Sequence, residues 1–338
     1  MKILTVSIAA YNVEKFLKDT LESLCDKRYI NDIEVLVIDD GSKDNTGIIA
    51  TEFQKKYPTS IKYIAKENGG HGSTINKGIE LASGKYFRIL DGDDYVDRDA
   101  FYSYITKLKS CDIDVVITDY WWVDNLKNKY QHGHKIFSVL QNNVEFQYDH
   151  SIDSSIFGLS TLSIKTELLQ MANVKITEKC FYVDVEFIIW AVYLSKSYVY
   201  FNDKVYMYRC IGTAQNSINK ASMLKNVKMQ EKVVLKMCDL YEDFYRKQNC
   251  NDVKKKIILN RIVMSEGATY RTYLLMNNMD ECKRNIDNFS TEIKEKSQSV
   301  YEYTLQNKFI KYIQNEHLIP IIKYIYNIYI WTKKWRKS

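Results

Sequence analysis

The chain has 338 residues, of which 46% are apolar and 27% charged, and a formal net charge of +6. That length and composition suit a globular protein with one large domain and a smaller companion. Its seven cysteines are scattered, without a CxxC pair or a His/Cys cluster at ligand spacing, which excludes structural zinc and a disulfide scaffold and fits a reducing compartment. The opening MKILTVSIAAYN reaches Asn12 and Glu14 too soon to read as a signal peptide. No run approaches the roughly 18 uncharged apolar residues of a transmembrane helix. Charge is uneven: residues 1–217 are slightly acidic, and residues 218–338 carry the positive balance, which suggests a divided task.

Residues 3–9 and 34–38 are apolar without polar alternation, the pattern of strands buried on both faces of a parallel sheet. Between them Val13, Phe16, Leu17, Thr20, Leu21 and Leu24 recur at helical spacing. Asp44 or Asn45 is placed to cap a second helix carrying Ile48, Ile49 and Phe53 and ending near Tyr57-Pro58. Residues 61–65 predict a third strand, Ser73 a cap for a helix through Ala82, residues 86–90 a fourth strand, and 114–118 a fifth. Strand and helix therefore alternate through about residue 118, as in an open, mostly parallel α/β sheet. From 218 onward the pattern changes to long helices at 222–248, 252–277, 280–296 and 299–315. The shift of pattern and charge sets the expected division, a first domain over 1–217 and a helical region over 218–338.

Open α/β sheets bind ligands at the carboxyl ends of their strands. Three polar clusters fall there: Ala9-Ala10-Tyr11-Asn12, Asp39-Asp40-Gly41-Ser42, and Asp91-Gly92-Asp93-Asp94. Each alone reads as a turn; three that converge point to a pocket. Asp91 and Asp93 flank Gly92, and carboxylates so close repel unless a cation offsets them. Hard oxygen ligands suit Mg2+ or Mn2+, with substrate phosphate and water completing the shell. The absence of GxxxxGK[ST] argues against phosphate-loop hydrolases and kinases, and the absence of GxGxxG after the first strand against a dinucleotide-dependent oxidoreductase.

The ordered motifs AAYNVEKFLKDTLESL, VLVIDDGSKDNT and ENGGHGSTINKGIELASGKYFRILDGDD resemble those of family-2 glycosyltransferases, inverting nucleotide-sugar enzymes of the GT-A fold. The resemblance covers roughly residues 1–217. It implies a UDP-sugar donor, a metal at Asp91 and Asp93 that carries the diphosphate, and a saccharide or polyprenyl-linked acceptor. It also implies a hexose or N-acetylhexosamine transfer in cell-surface polysaccharide synthesis. In it Tyr11 borders the uracil, Asp40 accepts from its ring N–H, Asp39 supports that loop or approaches the ribose, and Lys66 contacts the nucleotide. Residues 68–76, with Gly70, His71 and Asn76, match the family's glycine-rich loop, but Thr74-Ile75-Asn76 stands where Ala-Arg-Asn is usual. Without that arginine, diphosphate neutralisation leans on the metal or on Arg209, in YMYRCIGTAQNSIN. His71 reads either as a loop hydrogen-bonder or as a neighbour of diphosphate or acceptor. In FYVDVEFIIW, Asp184 aligns with the presumed general base, with a helix cap as the other reading, and Glu186 with a base or an orienting residue. Trp121 or Trp122 could line an acceptor site.

The sequence ends in an apolar run broken at Pro320, edged by Trp331 and Trp335 and finished by basic residues. Residues 320–338 fit a helix in an anionic membrane interface, with a docked helix or a homo-oligomer contact as the other readings. The expected location is cytoplasmic and peripheral at the inner face of the cell membrane. A nucleotidyltransferase would carry a glycine-rich basic loop near the first strand, which residues 9–14 lack. A noncatalytic partner of a membrane complex would not need the carboxylates that are present. Nucleic acid is not an expected partner, because no positive stripe interleaved with aromatics occurs in 1–217.

Overall fold

The computed structural model describes residues 2–124, 129–132, 142–148, 157–209, 219–246 and 251–335. At its centre are β1 (Leu4–Ala10) and β2 (Ile33–Asp39). Every residue of β2 is buried, and β1 nearly so, because strands that are apolar on both faces need cover on both. Then follow α1 (Glu14–Leu24), α2 (Thr46–Lys56), β3 (Ile61–Ala65), α3 (His71–Leu81), β4 (Tyr86–Asp91), β5 (Tyr95–Val96) and α4 (Arg98–Ser110); α1 precedes β2. β1 pairs in parallel with β2 on one side and β4 on the other, while β2 pairs in parallel with β3. The chain thus steps outward through β2 to β3, then returns across β1 to lay down β4. The strand order reverses between β1 and β4, where open sheets leave a crevice at their carboxyl ends.

Next in the chain are β6 (Val115–Asp124), β7 (Lys129–His132), β8 (Glu145–Gln147), β9 (Leu162–Lys165), α5 (Thr166–Met171), α6 (Asp184–Leu194) and β10 (Ser197–Arg209). The sheet order is β3-β2-β1-β4-β9-β6-β10-β5, with β7 on β6 and β8 on β10. It is parallel from β3 to β4. Beyond that it is mixed, because the short β9 sits antiparallel between β4 and β6 while β10 runs parallel to β6 and antiparallel to β5. One buried cation crosses this junction. The Arg88 guanidinium in β4 donates to Thr118 Oγ1 at 3.0 Å and to the Ser160 carbonyl, and lies 5.4 Å from the Tyr104 ring centroid. A buried charge needs such partners, and these tie β4 to its mixed half.

The chain divides into two compact units, Met1–Ala214 and Gln215–Ser338. The described part of the second is helical: α7 (Lys220–Lys225), α8 (Val227–Arg246), α9 (Asp252–Leu274), α10 (Met279–Lys296), α11 (Gln298–Thr304), α12 (Lys308–Ile313) and α13 (Ile319–Trp335). Side-chain caps start most of them: Asn219, Asn251, Asn278, Ser297 and Asn307 each accept from an amide two or three residues on. The cap at Asn307 divides the helix expected over 299–315, and the one expected over 222–248 is divided at Asn226. Inside, Tyr273 donates to Glu231 at 2.6 Å and Thr272 to Gln230 at 2.9 Å, joining α9 to α8. Pro320 does not break the last run. It is the second residue of α13, where a missing N–H costs nothing. The side chains of Trp331 and Trp335, and the basic residues that end the sequence, lie outside those described. Among the described residues no helix is long and apolar enough to cross a membrane.

Candidate functional site

The loops after β1 and β2 form one hydrogen-bonded platform. Asp40 N donates to Ala10 O at 2.8 Å, Asn12 N to Ser42 Oγ at 2.9 Å, and Lys43 N to Asn12 Oδ1 at 2.8 Å. Asn12 turns the chain at φ 53°, a left-handed geometry that asparagine tolerates. Asn45 holds the cap position of α2, and the side chain that takes the first helical amide is that of Asp44 before it, accepting from Thr46 N at 3.0 Å and also from Glu14 N at 3.1 Å. Tyr11 stands on this platform, 37% exposed. Beside it, an open groove of about 500 Å³ is lined by Asp39, Ser42, Gly47, Ile48, Lys55 and Tyr63.

Asp39 and Asp40 are both buried and both engaged. Asp39 accepts from Ser42 N at 2.9 Å and from the Tyr63 hydroxyl at 2.8 Å. Asp40 Oδ1 accepts from Lys66 Nζ at 2.7 Å, Gly69 N at 2.9 Å and Ser73 Oγ at 3.2 Å, and its Oδ2 from Gly70 N at 2.8 Å. Only Oδ2, with one donor, keeps a lone pair for a further N–H. Lys66 spends its ammonium on Asp40, the Glu67 carbonyl and Ser73 Oγ. The pair therefore holds the β3–α3 loop in shape.

That loop ends in a left-handed turn at Gly70, φ 79°, and α3 begins at His71. Ser73 is not the cap expected from sequence. It lies in the first turn and donates back to Gly70 O at 2.7 Å. A Cβ at Gly72 would stand 2.0 Å from Thr177 O, so the loop over 176–180 can approach only because Gly72 has none. Asn76 accepts from Ile176 N at 2.8 Å and donates to Ile176 O at 2.9 Å and Glu178 Oε1 at 3.0 Å. Its amide is thus occupied in fastening that second loop.

The third cluster hangs from the end of β4, in the crevice. Gly92 N donates to Ala9 O at 3.0 Å, tucking the turn under β1. Asp94 is the buried anchor: it accepts from Tyr206 OH at 2.7 Å and Arg209 N at 2.7 Å, and its carbonyl accepts from Thr20 Oγ1 at 2.6 Å. Burial, then the charges of Asp91 and Asp93, hold its carboxyl well above the ordinary range. Asp93 is pushed up to about 6, first by burial and then by Asp91, with Arg209 and His71 opposing the rise. Asp91 is partly exposed, and its Oδ1 lies 3.6 Å from His71 Nε2, a buried nitrogen without a hydrogen-bond partner among the described residues. Arg209 is enclosed beside the turn, 3.2 Å from Asp19 Oδ2 and 4.7 Å from the Tyr95 ring centroid. The structure thus gathers Asp91, Gly92, Asp93, His71 and Arg209 around one turn. Asp94, which the sequence placed in this cluster without a role of its own, proves to be its anchor, and Tyr206, a partner that no local pattern marks, joins it.

Asp184 opens α6, after a segment with Lys179 at φ 52° and Tyr182 at φ 65°. Lys179 N donates to Gly69 O, so the segment leading to Asp184 rests on the loop leading to His71. Glu186 is fully buried, and its Oε2 accepts from Thr177 N at 3.0 Å. A base must reach an acceptor hydroxyl, so burial removes Glu186 from that role and leaves it orienting the 176–180 loop. Trp121 carries Lys204 Nζ 4.2 Å from its ring centroid, and Trp122 is 38% exposed; alternation along β6 sends them to opposite faces.

Among the described residues no group of three or more His, Cys, Asp or Glu is arranged to hold a metal. A two-carboxylate site is still suited to a cation that takes its other ligands from phosphate and water. Desolvated Asp93, repelled by Asp91 beside an unpartnered His71 nitrogen, fits such a cation.

The family model of glycosyl transferase family 2 matches residues 5–165. The minor teichoic acid biosynthesis protein GgaB of Bacillus subtilis (strain 168) is 27% identical over 227 residues, which is 66% of this chain but 24% of GgaB. This chain therefore spans about a quarter of that relative. Glycosyltransferase GlyG of Streptococcus pneumoniae serotype 4 is 31% identical over 219 residues, 62% of this chain and 71% of GlyG. Among solved structures, a fragment of S. aureus TarS in complex with UDP-GlcNAc superposes with a TM-score of 0.67 at 16% identity, covering 94% of this chain and 91% of that one. The mannosyltransferase PcManGT of Pyrobaculum calidifontis, with GDP-Man and Mn2+, gives 0.54 at 14% identity over 96% and 86%. At those identities the two structures speak for a shared GT-A fold.

Proposed function

Because the chain belongs to glycosyltransferase family 2, we propose that it moves a hexose or N-acetylhexosamine from a UDP-sugar to a hydroxyl of a saccharide or polyprenyl-linked acceptor, with inversion, in cell-surface polysaccharide synthesis. The observation that carries this reading is the turn at the β1/β4 reversal. Asp91 and Asp93 meet there beside the amino end of α3, whose dipole favours an anion.

Mn2+ or Mg2+ held by Asp91 and Asp93 would supply neutralisation of the diphosphate as it leaves. The chain's own residues do the rest. Tyr11 and Asn12, on the platform, border the base, with Asp39 toward the ribose and Asp40 offering its remaining Oδ2 lone pair. Lys66 acts through Asp40, keeping the loop around Gly70 in place. His71 Nε2 and Arg209 set the positive potential around the diphosphate in place of the family's missing arginine. Asp184, at the amino end of α6, takes the acceptor proton, while Glu186 and Asn76 fix the loop before it.

Calorimetric titration of UDP with and without Mn2+ tests the reading on wild type, Asp91→Ala and Asp93→Ala. The expected result is Mn2+-dependent binding lost in both variants with circular dichroism unchanged. Equal, Mn2+-independent binding in all three overturns it. On the same samples Asp184→Asn should keep donor affinity while transfer falls by about 10²-fold or more.

A further inference from the structure

The last helix of the sequence presents apolar side chains on two faces. Ile319 is buried, and Ile322 and Tyr326 are half-buried on the same side. On the other side Ile321, Tyr324, Ile325, Ile328 and Tyr329 are 56%, 69%, 60%, 45% and 49% exposed. Their spacing of three and four residues places them in one stripe along α13. A helix that merely docks on its own domain carries polar residues there, and a contiguous apolar patch marks a surface that is covered in use.

Charge identifies the cover. After Glu316 the sequence has no acidic residue, while Lys333, Lys334, Arg336 and Lys337 are basic; Lys323, on the docked side, gives its ammonium to Met276 O instead. A two-fold contact between copies of this chain sets the same patch against itself, adding like charge to like. A soluble polyanion would satisfy the cations but offer nothing to the isoleucines. An anionic lipid surface satisfies both, and tyrosines with an apolar body and polar tip suit its headgroup level. We propose that the outer stripe of α13 lies in the interface of an anionic bilayer, with the helix axis in the membrane plane.

This surface shares no residue with the nucleotide site, so the two can fail separately. The test is flotation of the whole chain with vesicles of phosphatidylcholine alone, or of equal parts phosphatidylcholine and phosphatidylglycerol. Wild type should float with the anionic vesicles and not the neutral ones, less so as salt rises. Ile325→Asp with Ile328→Asp, both at exposed positions, should weaken binding by about tenfold or more while UDP titration is unchanged. Lys333→Glu or Lys334→Glu should each cost about fivefold or more at low salt. Equal flotation of wild type and the double aspartate variant overturns the proposal. So does a wild-type dimer that floats with neither vesicle and that the double variant converts to monomer, because a second copy would then cover the stripe.

Discussion

Asp40 shows how a site residue can act through its neighbours. Replacing it with Asn turns an acceptor into an NH2 that faces amide donors and leaves Lys66 without its anion. The expected cost is about 2–4 kcal/mol, together with loss of UDP affinity, read by urea denaturation and titration on one preparation. Unchanged stability would mean that the loop is held by something else. Glu266 offers a cleaner electrostatic test, because it lies in the helical unit and has no part in the site. It is fully buried, and burial pushes its carboxyl up to about 7 from 4.5. Below 4.5 the group is protonated folded and unfolded. As pH rises toward 7 the unfolded chain releases the proton first, so stability falls through that window. Glu266→Gln should therefore stabilise by about 2–3 kcal/mol at pH 8 and hardly at all at pH 4, checked by melts at both.

At the scale of elements, α3 and α9 make opposite predictions for the same substitution. Gly72→Ala places a methyl 2.0 Å from Thr177 O, a backbone atom that cannot swing aside, so the 176–180 loop must move and Asp184 with it. Gly267, inside α9, meets nothing nearer than Arg271 Nη1 at 3.5 Å, so Gly267→Ala should gain about 0.5–1 kcal/mol from helix propensity. Thermal melts of the two variants should move in opposite directions. The strands that build the site were legible because apolar runs such as 34–38 end abruptly in Asp39 and Asp40. The start of α3 was not, because Ser73 is a good cap by composition and only the turn at Gly70 moves the helix start forward. Asn76 and Glu186 read as site residues from their motifs. Their engagement with Ile176 and Thr177 depends on a loop about a hundred residues from Asn76, which no local pattern encodes. The mixed half of the sheet escaped for the same reason. β9 has four residues, too few to show a period, and its place depends on Arg88 reaching Ser160 and Thr118.

For the whole molecule, two compact units imply two unfolding events with separate sensitivities. In scanning calorimetry, UDP with Mn2+ at about a hundred times its Kd should add about 2.7 kcal/mol to the transition of the first unit. The transition of the helical unit should stay where it was; a single peak that moves as one would mean that they unfold together. The anchoring of Asp94 has a consequence in time. Its carboxylate is satisfied by Tyr206 and the Arg209 amide, 112 and 115 residues later. A ribosome making about 5–20 residues per second needs on the order of ten seconds to add that stretch. Through that interval the nascent chain can assemble its parallel strands, yet the turn bearing Asp91 and Asp93 hangs unfastened, its buried acid still open to water. Capacity to grip a nucleotide therefore arrives late in synthesis, when β10 slides into the sheet, and a chain stalled before Tyr206 should be folded in part and inert.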